Sequence, residues 1–303
     1  MSDNKAKLSL GPLLFHWKPE VMRDFYLRVA DEAPVDTVHL GEVVCSKRQP
    51  FFAAHFQQVV DRLTAAGKEV ILSSLALVMS ERERDSMRVL AADAGDLMVE
   101  ANDLAIAADL AGRPHMIGPF VNVYNEDTLA YLAGRGAQRV CLPAELPATT
   151  VAVLAAQVLA EIEVQAFGRL PLALSARCYH ARSRNLHKDG CHYVCALDPD
   201  GMPVDTMDGK PFLTVNGTQT MSCRYVNLLG EMAALRQAGI QRFRLWPQDC
   251  DMVGVARLFR GVLDGELSAL DASEQLSDVT PPDVEFANGY MHGREGHAFV
   301  AAE

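Results

Sequence analysis

The sequence predicts an α/β protein built on a TIM-like (β/α)8 barrel of somewhat irregular form. Short continuous apolar runs, typical of buried parallel strands, recur along the chain, and amphipathic helical segments that end in glycine separate them. These runs give about eight strand candidates, which is the number in such a barrel. A doubly wound open sheet is the alternative, but it would have a glycine-rich phosphate turn after its first strand, and Leu10-Gly11-Pro12 has no such pattern.

The unit of helix, glycine and strand is clearest in residues 50–72. Apolar side chains recur on one helical face up to residue 66, Gly67 ends the helix, and an apolar run at 70–72 follows. The same order recurs at three other glycines, each followed by an apolar run: Gly112 by residues 116–117, Gly136 by residues 139–142 and Gly239 by residues 243–246. The other strand candidates are residues 8–15, 37–44, 104–106 and 163–175. These repeats predict architecture and carry no information about function.

We expect one domain over residues 1–303. Residues 179–226 interrupt the alternation with turn sequences and short β-prone pieces, so we predict a turn-rich insertion there. From about residue 275 the chain is rich in loop-forming residues, and its glycine and aromatic content predicts a C-terminal tail laid against the body.

Composition excludes several classes of protein. The chain has 49% apolar residues, which suffices for a large core and argues against disorder. Its net charge of -11 argues against nucleic acid as a partner. Residues 1–20 lack the features of a secretory signal, and no run approaches the roughly 18 apolar residues of a transmembrane segment. We therefore expect a cytoplasmic protein.

The seven cysteines contain one informative arrangement. Cys178, Cys191 and Cys195 have the spacing C-x12-C-x3-C, in which a helical turn would bring the last two to one face. Cys45 ends the second strand candidate and Cys178 the seventh, and in a barrel both positions lie at the carboxyl face, where functional groups collect. We predict that the four thiols meet there and hold a metal centre.

Four thiolates suit an iron-sulfur cluster or a structural zinc ion, and unrelated buried thiols are a third interpretation. The absence of the CxxC pairs common at zinc sites favours the cluster. Three histidines among the cysteines could serve zinc but are more typical of a surface loop: His180, His187 and His192. Of the remaining cysteines, Cys141 is expected in the core, Cys250 follows the last strand, and Cys223 is the one substitute ligand.

Residues 163–178, EVQAFGRLPLALSARC, resemble the signature of peptidase family U32, which reads EVFVHGAMCVAYSGRC in typical members. The segment CHYVC at 191–195 is similar to the family's CAQPC element. Phe167 stands in place of the family histidine, Pro171 in place of its first cysteine and Ala176 in place of its glycine.

Because Cys45 can replace the cysteine missing at position 171, the ligand set resembles that of the UbiV branch of this family, which takes part in oxygen-independent ubiquinone biosynthesis. The resemblance implies a [4Fe-4S] cluster on Cys45, Cys178, Cys191 and Cys195. It also implies a subunit of an O2-independent hydroxylase that acts on a prenylated phenol and forms a heterodimer with a UbiU-type paralogue. Because the sequence contains no protease machinery, we do not expect the peptidase activity that the family's name suggests. A lipid-carrier protein of the same pathway is a further expected partner.

No catalytic residue can be assigned from the sequence. Arg182, Arg184 and Lys188 lie between the ligands, where they could tune the cluster or bind an anion, although a solvated basic loop explains them equally well. Two alternative functions remain: a U32 enzyme that hydroxylates RNA bases, which the acidic charge disfavours, and a noncatalytic zinc-binding scaffold subunit.

Overall fold

The structure, a computed structural model, describes residues 5–301. Eight parallel strands form a closed barrel, which confirms the predicted TIM-like (β/α)8 fold. In order around the barrel they are β1 (Lys7–Leu10), β2 (Thr37–Leu40), β3 (Glu69–Ser73), β4 (Met98–Ala101), β5 (His115–Ile117), β6 (Ala137–Cys141), the first half of β7 (Glu161–Leu174) and β11 (Arg242–Leu245). The last strand pairs with both β7 and β1 and so closes the ring.

Helices connect the strands and cover the outside of the barrel. They are α1 (Pro19–Glu32), α2 (Gln49–Ala65), α3 (Glu81–Asp93), α4 (Leu104–Asp109), α5 (Glu126–Gly134), α6 (Ala148–Ala155), α8 (Met232–Gln237), α9 (Met252–Asp264) and α10 (Ala269–Val279). The short helix α7 (Tyr179–Ser183) belongs to the insertion instead. The predicted order of helix, glycine and strand is present at all four places. At Gly136 the requirement is steric, because φ is +108° and a Cβ would lie 2.5 Å from the carbonyl oxygen of Arg113.

The barrel interior contains a buried ion cluster as well as apolar side chains. Arg244 is fully buried, and its Nη2 lies 2.6 Å from Glu100 Oε1 and 2.5 Å from Glu163 Oε2. Ser73 donates a hydrogen bond of 2.6 Å to Glu100 from the end of β3. These charges are stable in the interior because they are paired with one another.

One strand candidate was wrong. Residues 104–106 lie in α4, where Asp103 caps the helix by accepting the backbone N–H of Ala105 at 2.8 Å. The strand at this place is β4, whose inward-facing Glu100 interrupts the apolar run that identifies a buried strand. A charged residue in the barrel core therefore concealed a strand from the sequence pattern.

The predicted insertion is present, and it is a small antiparallel sheet. Residues 168–174 extend β7 beyond the barrel and pair with β10 (Gln219–Asn227), which pairs in turn with β9 (Pro211–Asn216) and β8 (Met202–Asp205). Arg169 anchors the insertion through an ion pair of 2.8 Å with Asp200. The extension places the insertion over the carboxyl face of the barrel.

The C-terminal tail begins after α10, which continues to Val279. Its strand β12 (Phe286–Ala287) pairs with β10, and the side chain of Asn288 exchanges hydrogen bonds of 2.7 and 2.8 Å with the backbone of Val300. The tail therefore packs against the insertion sheet. Among residues 5–301, the structure contains no helix with the length and apolar character needed to cross a membrane.

Candidate metal centre

The four predicted cysteines lie around one small cavity at the carboxyl face of the barrel. Cys45 is in the loop after β2, Cys178 immediately precedes α7, and Cys191 and Cys195 follow within the insertion. All four line the same cavity, with Arg48, Lys188, Tyr193, Val194, Gly217 and Thr218 as the other wall residues. Segments distant in sequence are thus brought together around the thiols.

The loop that carries Cys45 is held by Glu42. One oxygen of the Glu42 carboxylate accepts the backbone N–H groups of Val44 and Cys45, at 2.8 and 2.9 Å. Gly41 permits the sharp turn out of β2, because its φ is +142° and a Cβ would lie 2.2 Å from the carbonyl oxygen of Ser73. Thr218 donates a hydrogen bond of 3.0 Å to the Val44 carbonyl and ties this loop to the insertion.

Cys178 is held at the start of α7. Its sulfur accepts the backbone N–H of Ala181 at 3.5 Å, as an N-cap side chain does. Close by, His180 accepts the backbone N–H of Gly217 at Nδ1, at 2.9 Å, so its proton is on Nε2, which lies 2.9 Å from Asp198. His180 is fully buried, so the surface-loop expectation was wrong for it, whereas His187 and His192 are exposed as predicted.

Cys191 and Cys195 do not share the face of an α-helical turn, so that part of the prediction was wrong. They are separated by His192 and Tyr193, which have φ of +48° and +53°. Short 3-10 helices lie on either side, at Lys188–Gly190 and Val194–Leu197. Two consecutive left-handed residues reverse the chain, and by this route both thiols reach the cavity.

The thiols are close to buried positive charge. Arg48 is only 3% exposed, and it donates hydrogen bonds to the Leu14 carbonyl at 2.9 Å and to Asn216 Oδ1 at 3.0 Å. Burial raises the pKa of the Cys45 and Cys195 thiols, while the Arg48 guanidinium beside them acts in the opposite direction. These two thiols are therefore protonated in the free chain at pH 7, and a bound metal would displace their protons.

Lys47 connects the loop after β2 to the insertion. Lys47 Nζ lies 2.6 Å from the carbonyl oxygen of Lys188 and 2.9 Å from Asp189. Of the three cations singled out in the sequence, Lys188 lines the cavity, while Arg182 and Arg184 are exposed. Sequence reasoning missed Lys47 and Arg48, although both stand within three residues of Cys45.

The other three cysteines are elsewhere. Cys141 is fully buried in the barrel, as predicted. Cys223 lies on β10, where its carbonyl accepts from Arg169, and Cys250 lies 3.6 Å from the sulfur of Met252 at the start of α9. None of these three is a wall residue of the cavity, so the structure does not bring Cys223 to the place of a substitute ligand.

The wall of this cavity contains the donor atoms of a thiol-bound metal site. The wall contains four thiols and no carboxylate or imidazole, a donor set that suits an iron-sulfur cluster or zinc. In the part of the chain between residues 5 and 301, no three or more His, Cys, Asp or Glu side chains are arranged to hold a metal ion as they stand. The donor chemistry of the cavity therefore fits a thiol-bound metal group.

Comparison with known protein families identifies the family of this chain. The family model for peptidase family U32 matches residues 25–300, which is most of the sequence. This chain belongs to peptidase family U32. The match spans the barrel from α1 onward together with the insertion, so in this U32 protein both parts belong to the family region.

Solved structures with a similar course of the chain have low sequence identity to the U32 protein. They include N-acetylneuraminate lyase from Mycoplasma synoviae (TM-score 0.47, 8% identity, covering 91% of this chain and 81% of that one). Dihydropteroate synthase from Xanthomonas albilineans has a TM-score of 0.42 and 12% identity, with coverage of 91% and 94%. The tryptophan synthase complex from Pyrococcus furiosus has a TM-score of 0.41 and 12% identity, with coverage of 90% and 98%.

The structure also shows where the U32 protein departs from the family signature. Phe167 is fully buried, and its ring packs edge-on against Tyr225 and Phe259. Pro171 lies on the extension of β7 opposite Met221, and it is not a wall residue of the thiol cavity. The four thiols therefore come together without a contribution from the position where the signature has its first cysteine.

Proposed function

We propose that this U32 protein is the [4Fe-4S] subunit of an O2-independent hydroxylase in ubiquinone biosynthesis. The observation that carries the proposal is the single cavity lined by Cys45, Cys178, Cys191 and Cys195. These four residues would bind the cluster. The pathway is inferred from the resemblance of the ligand pattern to that of the UbiV branch, and a UbiU-type paralogue is the expected partner.

The charges around the cavity support the proposal. Four thiolates on a [4Fe-4S] centre leave a net negative charge that is costly to bury without compensation. Arg48 is buried at the cavity wall, and Lys188 lines the same wall. Hydrogen bonds and nearby cations are among the features by which a protein sets the potential of a cluster.

A cluster held in this way supplies electron transfer, and the residues of the chain supply its environment. Hydroxylation replaces a ring C–H by C–OH, which is a two-electron oxidation. The system therefore also requires either an oxygen-atom donor other than dioxygen, which is itself reduced, or water together with an acceptor for the two electrons. In this proposal the chain acts in the cytoplasm on a prenylated phenol, with a lipid-carrier protein to present the substrate.

A genetic experiment tests the function. In a strain of the source organism that lacks this gene, we expect anaerobic growth to yield little ubiquinone and to accumulate a less hydroxylated precursor, while aerobic levels are unchanged. Wild-type protein and Cys223→Ser should restore ubiquinone, whereas Cys195→Ser should not. Unchanged anaerobic ubiquinone in the deletion strain contradicts the proposed function and favours a noncatalytic scaffold or another substrate.

A further inference from the structure

A larger cavity lies beside the thiols, at the carboxyl ends of β1, β2 and β3. Its volume is about 320 Å³, within the usual range for small-molecule sites. Most of its wall is aromatic or aliphatic and comes from the loop after β1, from α1 and from α2. The aromatic rings are those of Phe15, Trp17, Phe51, Phe52 and Phe56. We refer to it as the aromatic pocket.

The aromatic pocket and the thiol cavity share a wall. Arg48 lines both of them. Glu42 lines the aromatic pocket, and its carboxylate accepts the backbone N–H of Cys45 at 2.9 Å. A ligand in the aromatic pocket would therefore lie next to the loop that presents one of the four thiols.

The polar side chains of the pocket wall are Arg48, Glu42 and three others, His16, Gln49 and Ser73. Burial and the nearby Arg48 lower the pKa of His16 to about 4, so this imidazole is neutral at pH 7. Arg48 and Glu42 then provide one cation and one carboxyl group. The buried Nε of Arg48 has no hydrogen-bond partner within the described residues, so the guanidinium retains one donor for a bound group.

Size and polarity together indicate the ligand. A cavity of about 150 Å³ lined by apolar side chains accepts a benzene ring. A volume of about 320 Å³ therefore accommodates one ring and several further carbons. A neutral hydroxyl can accept from Arg48 and donate to the Glu42 carboxyl group. A carboxylate head group would lose its hydration in a largely apolar pocket that already contains one buried carboxyl group.

We infer that the aromatic pocket binds a phenol with a hydrocarbon substituent, with its hydroxyl directed toward Arg48 and Glu42 beside the thiol site. The inference rests on the proposed function in one respect, the identification of this ligand with the prenylated phenol substrate. It adds to that proposal that this subunit, and not only its partner, holds the substrate.

The test is calorimetric titration of the purified full-length chain with 4-hexylphenol and, separately, with 4-hexylbenzoate. We expect saturable binding of 4-hexylphenol with a Kd of about 10–100 µM and at least tenfold weaker binding of the benzoate. Ala53→Trp fills the pocket from α2 and should weaken phenol binding at least tenfold. Ala54→Trp is the matched control, because Ala54 is the next residue on the same helix and is exposed outside the pocket.

Three results overturn the inference: no saturable binding of 4-hexylphenol, tighter binding of the benzoate, or equal loss in Ala53→Trp and Ala54→Trp. Circular dichroism of both variants establishes that they are folded. The outcome is separable from that of the proposed function. If the chain binds the phenol but contains no iron, the phenol-binding pocket stands and the proposed cluster is contradicted. If the chain contains the cluster but does not bind the phenol, the substrate site belongs to the partner.

Discussion

Replacing Arg48 by methionine removes the buried cation between the two cavities while retaining most of the side-chain volume. The guanidinium donates to the Leu14 carbonyl at 2.9 Å and to Asn216 Oδ1 at 3.0 Å. The Leu14 carbonyl would keep a second donor, because Asn216 Nδ2 lies 2.8 Å from it. Asn216 Oδ1 would lose its donor. Glu42 would lose the cation that opposes the rise of its pKa on burial.

The magnitude follows from these losses. A hydrogen bond to a charged group contributes about 1.5–3 kcal/mol, and the Arg48 guanidinium donates two of them in the interior. Methionine recovers part of this through apolar contacts. We therefore expect Arg48→Met to lower the free energy of unfolding of the metal-free chain by about 2–4 kcal/mol.

Urea unfolding followed by circular dichroism measures this difference. Arg62→Met is the matched control, because Arg62 lies on α2 and pairs with Asp31 at the surface with 44% of its side chain exposed. We expect a change of at most about 1 kcal/mol there. A loss below about 1 kcal/mol in Arg48→Met would refute the view that this buried cation is held by its two hydrogen bonds.

Three further results are expected. Gly41→Ala should lower the free energy of unfolding by about 2–4 kcal/mol, because its Cβ would lie 2.2 Å from the Ser73 carbonyl oxygen at a φ of +142°; Gly134→Ala, where a Cβ meets nothing within 4 Å, should show no such loss. Because the pKa of His16 falls from 6.5 to about 4 on folding, the unfolded chain takes up this proton first as pH falls. The free energy of unfolding should thus decrease by about 1–2 kcal/mol between pH 7 and 5, and His16→Gln should remove that dependence; an identical pH profile in the variant would contradict the neutral, buried imidazole. Cys141→Ala should retain the iron content of the wild type while Cys178→Ala loses it, and equal iron in both variants would exclude Cys178 as a ligand.

The barrel could be predicted because its signals are local. An apolar strand after a glycine-terminated helix is readable within about 20 residues, and it is present at Gly67, Gly112, Gly136 and Gly239. β4 was missed because Glu100 is stabilised by Arg244, which lies far away in the sequence. A search for apolar runs does not identify a strand that contains a charged residue, when the residue that neutralises this charge is brought close only by folding.

The candidate site was predictable to a similar extent. The spacing of three cysteines and the position of Cys45 after a strand indicated that the thiols would meet, but the route between Cys191 and Cys195 depends on left-handed residues without glycine. Arg48 was missed because one arginine beside a helix start has no distinguishing pattern. Its role arises from burial against Leu14 and Asn216, which are remote in sequence.

The central claim is tested most directly by metal and sulfide analysis of the protein purified without exposure to oxygen. The account predicts about four iron and four acid-labile sulfide per chain in the wild type. Serine at any one of positions 45, 178, 191 and 195 should remove most of both, whereas Cys223→Ser should remove neither. A wild-type protein that contains zinc and no sulfide would contradict the cluster.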